Sequence, residues 1–363
     1  MSRPVMIMAG GTGGHIFPAL AVAERIRARR IPVVWLGSRG GMEERLVPAQ
    51  GIPIDTLSVR GLRGKGAAAL ALAPFKLAWA LGQALVSLAR HRPRAVLGMG
   101  GFAAGPGGVA AWLLRRPLFV HEQNAIPGYT NRILARLARV VMEGFPGSFP
   151  GGRAVFTGNP LREAIRALPP AAGRLAGRQG PLRLFVLGGS LGALRLNTVL
   201  PQALARFPAA ERPEVWHQCG ARHLAATERA YAEAGVAARI EPFVEDMAAA
   251  YGWADLVVCR AGALTVAELI QVGLPAILVP YPHAVDDHQT ANARQLVDVG
   301  AAQLVPDARL TADDLHRRLA ALQADRARLL AMARAGAALR RPEAAETVAR
   351  LCLGELRPEE VKA

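Results

Sequence analysis

Lysine is nearly missing from this chain: Lys65, Lys76 and Lys362 stand alone among 44 basic residues, and the rest are arginine. Cysteine is as scarce. Cys219, Cys259 and Cys352 lie far apart with no C-x-x-C pair, which argues against a zinc site or a disulfide framework and fits reduced thiols in a cytoplasm. Aromatic residues make up only 5% of the chain, and there is no dense basic helix or recognisable binding module, so nucleic acid is not an expected partner. No basic n-region followed by an apolar h-region opens the chain, so no secretion signal is expected. A phosphate-binding P-loop is also missing, because Gly64-Lys65 is followed by Gly66 rather than Ser or Thr.

What is present is apolar and basic. The 363 residues are 52% hydrophobic, enough for well-packed cores, and the length suggests two domains. The formal charge of +16 favours anionic partners, either phosphate-bearing substrates or anionic lipid.

The chain opens with an apolar run, Val5 to Ala9, that leads into Gly10-Gly11-Thr12-Gly13-Gly14-His15. The run suits a buried parallel strand, and Ile16 to Glu24 reads as the following helix. Glycines at such a turn admit a ligand closely, and the helix start offers N–H groups to a phosphate. His15 adds a titratable group. The loop is not a dinucleotide fingerprint: Ile16 stands where a third glycine belongs, and Val33 to Gly37 ends in Ser38 rather than an acid.

Further strands are expected at 52–57, 95–98, 118–121 and 140–142, and a second series at 182–187, 214–218, 238–240, 256–259 and 275–280. The series are separated by 168–181, rich in Pro, Gly, Ala and Arg, which reads as a surface connection. The second series opens as the first did, with Gly188-Gly189-Ser190-Leu191-Gly192 after a strand. The expectation is an α/β protein of two Rossmann-like domains facing a deep cleft, with substrate outside the carboxyl ends of the strands. A third glycine cluster, Gly98 to Gly108, places a second loop on the rim of the first half.

Segment 67–88 carries one charge, Lys76, and a break at Pro74. Pro74, Lys76, Gln83 and Ser87 argue against a membrane span. Core packing fits, and so does docking on an anionic bilayer, since Arg60, Arg63 and Lys65 precede Phe75, Leu77, Trp79 and Leu81 while Arg90, Arg92 and Arg94 follow.

In the second half, Arg260 to Leu269 follows a strand with small residues that would let a diphosphate reach the amides of a helix starting near Ala263. Glu268, a turn further on, suits the two hydroxyls of a ribose. Thr265 and Glu268 also stand at the spacing of a capping box, a purely structural device. The polar loop 281–292 follows the next strand, where an attached sugar would reach. In the first half, His121-Glu122-Gln123-Asn124 ends a strand, so these side chains either cap the helix after Pro127 or face the cleft. Gly158-Asn159-Pro160 leads to Arg162, near the crossing between domains.

Taken in order, Ala9 to His15, Gly98 to Phe102, His121 to Asn124, Gly158 to Pro160, Gly188 to Ser190 and Gly262 to Glu268 resemble the motifs of the MurG family over nearly the whole chain. Members of that family transfer N-acetylglucosamine from UDP-GlcNAc to lipid I, the undecaprenyl-pyrophosphoryl-MurNAc-pentapeptide of peptidoglycan synthesis. The resemblance implies the GT-B glycosyltransferase fold, with an acceptor and membrane domain over 1–160 and a donor domain over 161–341. It also implies a terminal helix in 342–363 that returns to the first domain. It implies work at the cytoplasmic face of the inner membrane, with UDP-GlcNAc, lipid I, anionic lipid and cell-wall and division proteins as partners, and no cofactor or metal. Thr12, Gly13, Gly14, Asn124, Arg162, Ser190, Val244, Ala263, Leu264, Thr265, Val266, Ala267, Glu268 and Gln289 would contact the donor. Phe102 replaces a usual Tyr, Leu191 a usual Gln, and His288 an occasional second Gln.

The expected reaction is an inverting displacement, with His15 as the base that takes the acceptor's hydroxyl proton and Glu122 as the rival. Two other readings stand beside it. A UDP-GlcNAc 2-epimerase would act on the donor without an acceptor, and a nucleotide-sugar sensor would bind it intact.

Overall fold

The run Val5–Met8 forms strand β1, and its side chains alternate between two cores: Val5 and Ile7 pack on one face of a sheet, Met6 and Met8 on the other. A strand buried on both faces needs helices on both, which is why it reads as continuous apolar sequence. The computed structural model describes residues 2–59, 72–189 and 192–361, and it divides into two units.

The first unit spans Met1–Arg162 and Arg341–Ala363. After β1 come β2 (Val33–Ser38), β3 (Ile54–Leu57), β4 (Ala95–Gly98), β5 (Leu118–Glu122), β6 (Val140–Glu143) and β7 (Ala154–Phe156). They form one sheet in the order β3-β2-β1-β4-β5-β6-β7, with every pair parallel. One face is covered by helix Gly13–Ala28 and the terminal helix Ala344–Leu353, whose Val348, Ala349 and Leu351 enter the core beside Ile16, Val22 and Ile26. Arg29, just past the first of these helices, pairs with Glu346 and Glu355.

The other face takes helices Ala73–His91 and Ala104–Leu113. Pro74 does not break the first of these; it lies in the opening turn, where its missing N–H has no intrahelical acceptor to lose. Gln83 and Ser87 anchor this helix to the sheet: Gln83 Oε1 accepts from Ser58 N at 2.8 Å and Ser87 Oγ donates to Asp55 at 2.6 Å. The helix is therefore two-faced. Ala80, Ala84 and Leu88 are buried, while Phe75 is 75% and Trp79 65% exposed, with Leu77 and Val86 also outward. Leu81, expected with the outer group, is instead half-buried against the core. The flanking Arg60, Arg63 and Lys65 lie outside the described residues.

The second unit is Glu163–Arg340. Its strands are β8 (Arg183–Leu187), β9 (Glu214–Gln218), β10 (Arg239–Glu241), β11 (Leu256–Cys259), β12 (Ala276–Leu278) and β13 (Ala302–Leu304), parallel in the order β10-β9-β8-β11-β12-β13. Leu184, Val186, Leu256 and Val258 share a core with Leu196, Leu200, Leu315 and Leu319 from two covering helices. On the opposite face Phe185 meets Trp216 and Tyr251 edge-on, with ring centroids 5.9 Å apart in both pairs.

Three further expectations are corrected. Segment 168–181 is more than a surface connection, because helix Ala171–Leu175 buries Ala171 and Leu175 and its Arg174 donates to the Ala254 carbonyl at 2.6 Å. Strands β7 and β13 were not expected; each is three residues long at a sheet edge, too short to show a period. The first helix begins at Gly13, so His15 sits in its opening turn rather than ahead of it.

Candidate active site

In the first sheet the chain runs outward from β1 in both directions, to β2 on one side and β4 on the other, and such a reversal of strand order is where open α/β sheets take their ligands. The loops that follow these two central strands are the first and third glycine clusters. They meet backbone to backbone: a Cβ on Gly101 would lie 2.5 Å from the Gly10 carbonyl oxygen, and Gly101 has φ +89°. Gly100 leaves room for His15, since a Cβ there would fall 2.6 Å from His15 Nδ1.

Beneath the first loop lies Glu43, wholly buried, which the sequence did not mark. Its Oε2 accepts from Gly11 N at 3.1 Å and its Oε1 from Ser38 N at 2.8 Å, tying the loop to the end of β2. Thr12 caps helix Gly13–Ala28 in extended conformation, and Gly13 and Gly14 form its first turn. A helix start presents N–H groups that have no partner within the helix, and here they lie on the rim.

Strand β5 delivers His121, Glu122 and Gln123, all buried, followed by half-buried Asn124. Glu122 closes its own loop. Oε1 accepts from Asn124 N at 2.9 Å and Asn124 Nδ2 at 3.0 Å, and Oε2 accepts from Gly128 N at 3.0 Å and Asn131 Nδ2 at 2.9 Å. Four donors converge on one carboxylate, so the group proposed as a rival base is engaged as a clasp. Glu143, at the end of β6, does the same for the next loop through Gly147 N and Phe149 N. Asn159 braces this region by donating to the Gln123 carbonyl at 3.0 Å.

His15 Nδ1 lies 3.0 Å from Gln123 Oε1, and Gln123 Nε2 lies 3.2 Å from His121 Nδ1. His121 Nε2 reaches the Gly158 carbonyl at 3.0 Å. Burial pushes the His121 imidazolium down to about 4, so the ring is neutral near pH 7. Arg162 lays its guanidinium over the Phe17 ring at 4.9 Å. His15, Thr12, Gly13, Gly14, Asn124, Glu122 and Arg162 thus all belong to the first unit.

In the second unit the order reverses between β8 and β11, and the marked loops again follow these strands. Ser190 and Leu191 lie outside the described residues. Gly192, at φ +77°, passes so close to the Cys219 carbonyl that a Cβ would lie 2.2 Å away. Under it a buried network joins His217 to Tyr231 Oη at 2.9 Å and to Asn197 at 3.1 Å. Burial pushes His217 down to about 3.

Helix Ala263–Val272 starts where expected, capped by Gly262 in extended conformation without a side-chain bond. That removes the capping-box reading: Thr265 stands inside the first turn instead of at the cap, and Glu268 is a full turn beyond Leu264. Glu268 is 7% exposed, and its Oε2 accepts from Tyr251 Oη at 2.9 Å. Tyr251 is another partner that the sequence did not reveal. Gln289 Oε1 bridges Ala261 N at 3.2 Å and Tyr281 N at 2.8 Å, so it shapes the loop ahead of the helix. The amide of Val244 is held by Gln218 Oε1 at 2.9 Å. Val244 lines a cavity of about 700 Å³ with Trp216, Arg239, Phe243, Asp246 and Trp253. Among the described residues no group of three His, Cys, Asp or Glu side chains is placed to hold a metal ion.

Two family models cover most of the chain: the glycosyltransferase family 28 N-terminal domain matches residues 5–143 and its C-terminal domain residues 183–348. The chain is 61% identical to the UDP-N-acetylglucosamine--N-acetylmuramyl-(pentapeptide) pyrophosphoryl-undecaprenol N-acetylglucosamine transferase of Alkalilimnicola ehrlichii, across 98% of this chain and 100% of that one. It is 57% identical to the Marinobacter nauticus enzyme of the same name, across 97% of each. Among solved structures, Acinetobacter baumannii MurG superposes with a TM-score of 0.84 at 42% identity, covering 97% of this chain and 99% of that one. Two parallel-sheet units of the GT-B type, with glycine loops at the reversal of each sheet and near full-length identity to these transferases, show that the chain belongs to glycosyltransferase family 28, within its MurG family.

Proposed function

We propose that this chain transfers N-acetylglucosamine from UDP-GlcNAc to the MurNAc 4-hydroxyl of lipid I, forming lipid II for peptidoglycan synthesis, by one inverting displacement. The acceptor oxygen bonds to the anomeric carbon as the bond from that carbon to the diphosphate breaks, and UDP leaves with the electron pair. The hydroxyl proton passes to His15. General-base catalysis of this kind is worth about 10² to 10⁴ in rate. The observation that carries the assignment is His15 itself, held between the two glycine loops with Gln123 on its Nδ1. Glu122 is the weaker candidate, because both of its oxygens already accept two donors.

The donor's diphosphate is read as lying at the start of helix Ala263–Val272, where Gly262 and Ala263 carry little bulk and the amides favour negative charge. Thr265, Val266 and Ala267 continue that turn, and Glu268, steadied by Tyr251, accepts the ribose hydroxyls. Thr12, Gly13, Gly14, Asn124, Arg162, Ser190, Val244 and Gln289 remain donor contacts on the family resemblance.

A lipid-linked acceptor lies in a bilayer, and the outer face of helix Ala73–His91 suits one. Phe75, Leu77 and Trp79 are exposed around exposed Lys76, and exposed Arg90 lies in the last turn of the same helix. We place the protein at the cytoplasmic face of the inner membrane, lying on it with this surface. No helix among the described residues is long and apolar enough to cross a membrane. Cell-wall and division proteins are proposed partners on the resemblance alone.

The decisive experiment incubates the protein with UDP-GlcNAc, with and without a lipid I analogue, and follows UDP release. Release that requires the acceptor supports transfer. Conversion of the sugar without acceptor would favour an epimerase, and binding without any turnover a sensor.

A further inference from the structure

The hydrogen-bond chain behind His15 contains two groups that can only accept, and together they settle every proton in it. The first is the His121 backbone carbonyl, 3.3 Å from Gln123 Nε2. If the Gln123 amide were turned over, its oxygen would face that carbonyl oxygen with no hydrogen between them, so the nitrogen must point there. Oε1 of Gln123 then faces His15 Nδ1 at 3.0 Å. An amide oxygen only accepts, so His15 Nδ1 carries the hydrogen. The second is the Gly158 carbonyl, 3.0 Å from His121 Nε2. It requires a hydrogen on that nitrogen. In the neutral ring, Nδ1 of His121 is then a lone pair, and it accepts from Gln123 Nε2 at 3.2 Å. Both ends of the chain give the same orientation for Gln123.

The geometry points to Gln123 as a positioning residue, oriented by His121 and the Gly158 carbonyl, that holds His15 in the Nδ1–H tautomer and leaves Nε2 as the basic nitrogen. A second device keeps the ring on this partner: Gly100, whose missing side chain leaves the space that His15 Nδ1 occupies. The Gln123 backbone is itself pinned by Asn159 at 3.0 Å. Gly158 and Asn159, far along the chain from the first glycine loop, thereby act on the base, Gly158 through His121 and Gln123 and Asn159 through Gln123 alone. A neutral histidine can present only one basic nitrogen, and the bond made by the other decides which. As a role in catalysis, this rests on the reading of His15 as base; as a statement about the ring, it does not.

The test is a long-range proton–nitrogen NMR spectrum of the wild-type full chain with ¹⁵N-labelled histidine, taken near pH ~8, above the ordinary imidazole range. The signals are assigned by their loss in His15→Ala and His121→Asn. The expected result is a protonated Nδ1 and bare Nε2 on His15, with the opposite tautomer on His121. An Nε2–H tautomer on His15 would overturn the proposal whatever the kinetics. Gln123→Leu should mix the His15 tautomers and lower kcat by about 10²-fold while KM for UDP-GlcNAc changes less than about twofold. Its loss should not exceed that of His15→Ala, and adding it to His15→Ala should cost little more. Full multiplication of the two losses would overturn the positioning role and leave Gln123 a structural residue. Near-normal turnover in His15→Ala would instead remove the base reading, while the wild-type spectrum would still decide the tautomer.

Discussion

The Glu122→Gln substitution separates a clasp from a base with a single atom. In the structure each carboxylate oxygen of Glu122 accepts two N–H donors at 2.9 to 3.0 Å, and the residue is 1% exposed. An amide turns one oxygen into a donor. Whichever way it is placed, two N–H groups then face an NH₂ on an almost fully buried side chain. Each hydrogen bond to a charged group contributes about 1.5–3 kcal/mol, so the loss of two is about 3–6 kcal/mol. The lower end is expected, because half-buried Asn124 can turn its side chain towards solvent. For a domain of roughly 150–250 residues, 3 kcal/mol corresponds to a fall in Tm of about 6–12 °C. Urea unfolding and calorimetry on the purified variant measure this, and UDP release at a temperature where the variant is folded measures turnover. A stability loss under about 1 kcal/mol together with abolished turnover would refute the clasp and return Glu122 as the base.

Further outcomes follow from the same structure. Glu268→Ala should weaken UDP-GlcNAc about tenfold or more and narrow the preference for ribose over 2′-deoxyribose donors, since each 1.4 kcal/mol is a factor of ten; an unchanged preference in a binding titration would end the ribose assignment. Gly101→Ala should cost more than about 2 kcal/mol, combining a left-handed φ with a clash against Gly10; Gly147→Ala, at φ +78° with open space around it, should cost about 1 kcal/mol by the same denaturation assay. Changing both Phe75 and Trp79 to Ser should weaken binding to anionic vesicles about 100-fold on sedimentation, from about 3 kcal/mol of lost burial. Leu81→Ser should destabilise the fold, because Leu81 packs on the core. His121 and His217 are pushed by burial to about 4 and about 3 from an ordinary 6.5, so the unfolded chain binds more protons in that interval. Their stabilisation is complete above pH 6.5 and is lost as pH falls through these values; His217→Gln should flatten the stability curve there by up to about 1.4 kcal/mol per pH unit.

The features legible in the chain were those with a local signature. Val5–Met8, Ala95–Gly98 and Leu256–Cys259 are apolar runs bounded by turns, and their strands fall where the runs do. Glycine clusters and the order of six motifs also survive in one dimension, and they carried the family and the fold. Short edge strands such as Ala154–Phe156 have no room for a period and went unseen. The amphipathic split of helix Ala73–His91 was half-legible: its outer aromatics were marked, but the placement of Leu81 depended on which turn the neighbouring helix covers. The polar anchors stayed hidden. Glu43, Asn131, Glu143 and Tyr251 are single residues with no period or spacing, and each gains its role from a backbone or side-chain group brought beside it by folding. Parallel pairing put β1 beside β4, and that neighbourhood brought Gly101 against Gly10 and Gly100 against His15. The sequence alone determined that a histidine would follow a glycine turn at the start of a helix. Only the tertiary structure decided which nitrogen of that histidine faces Gln123, because a hydrogen bond's direction is set by the acceptors that surround it in space.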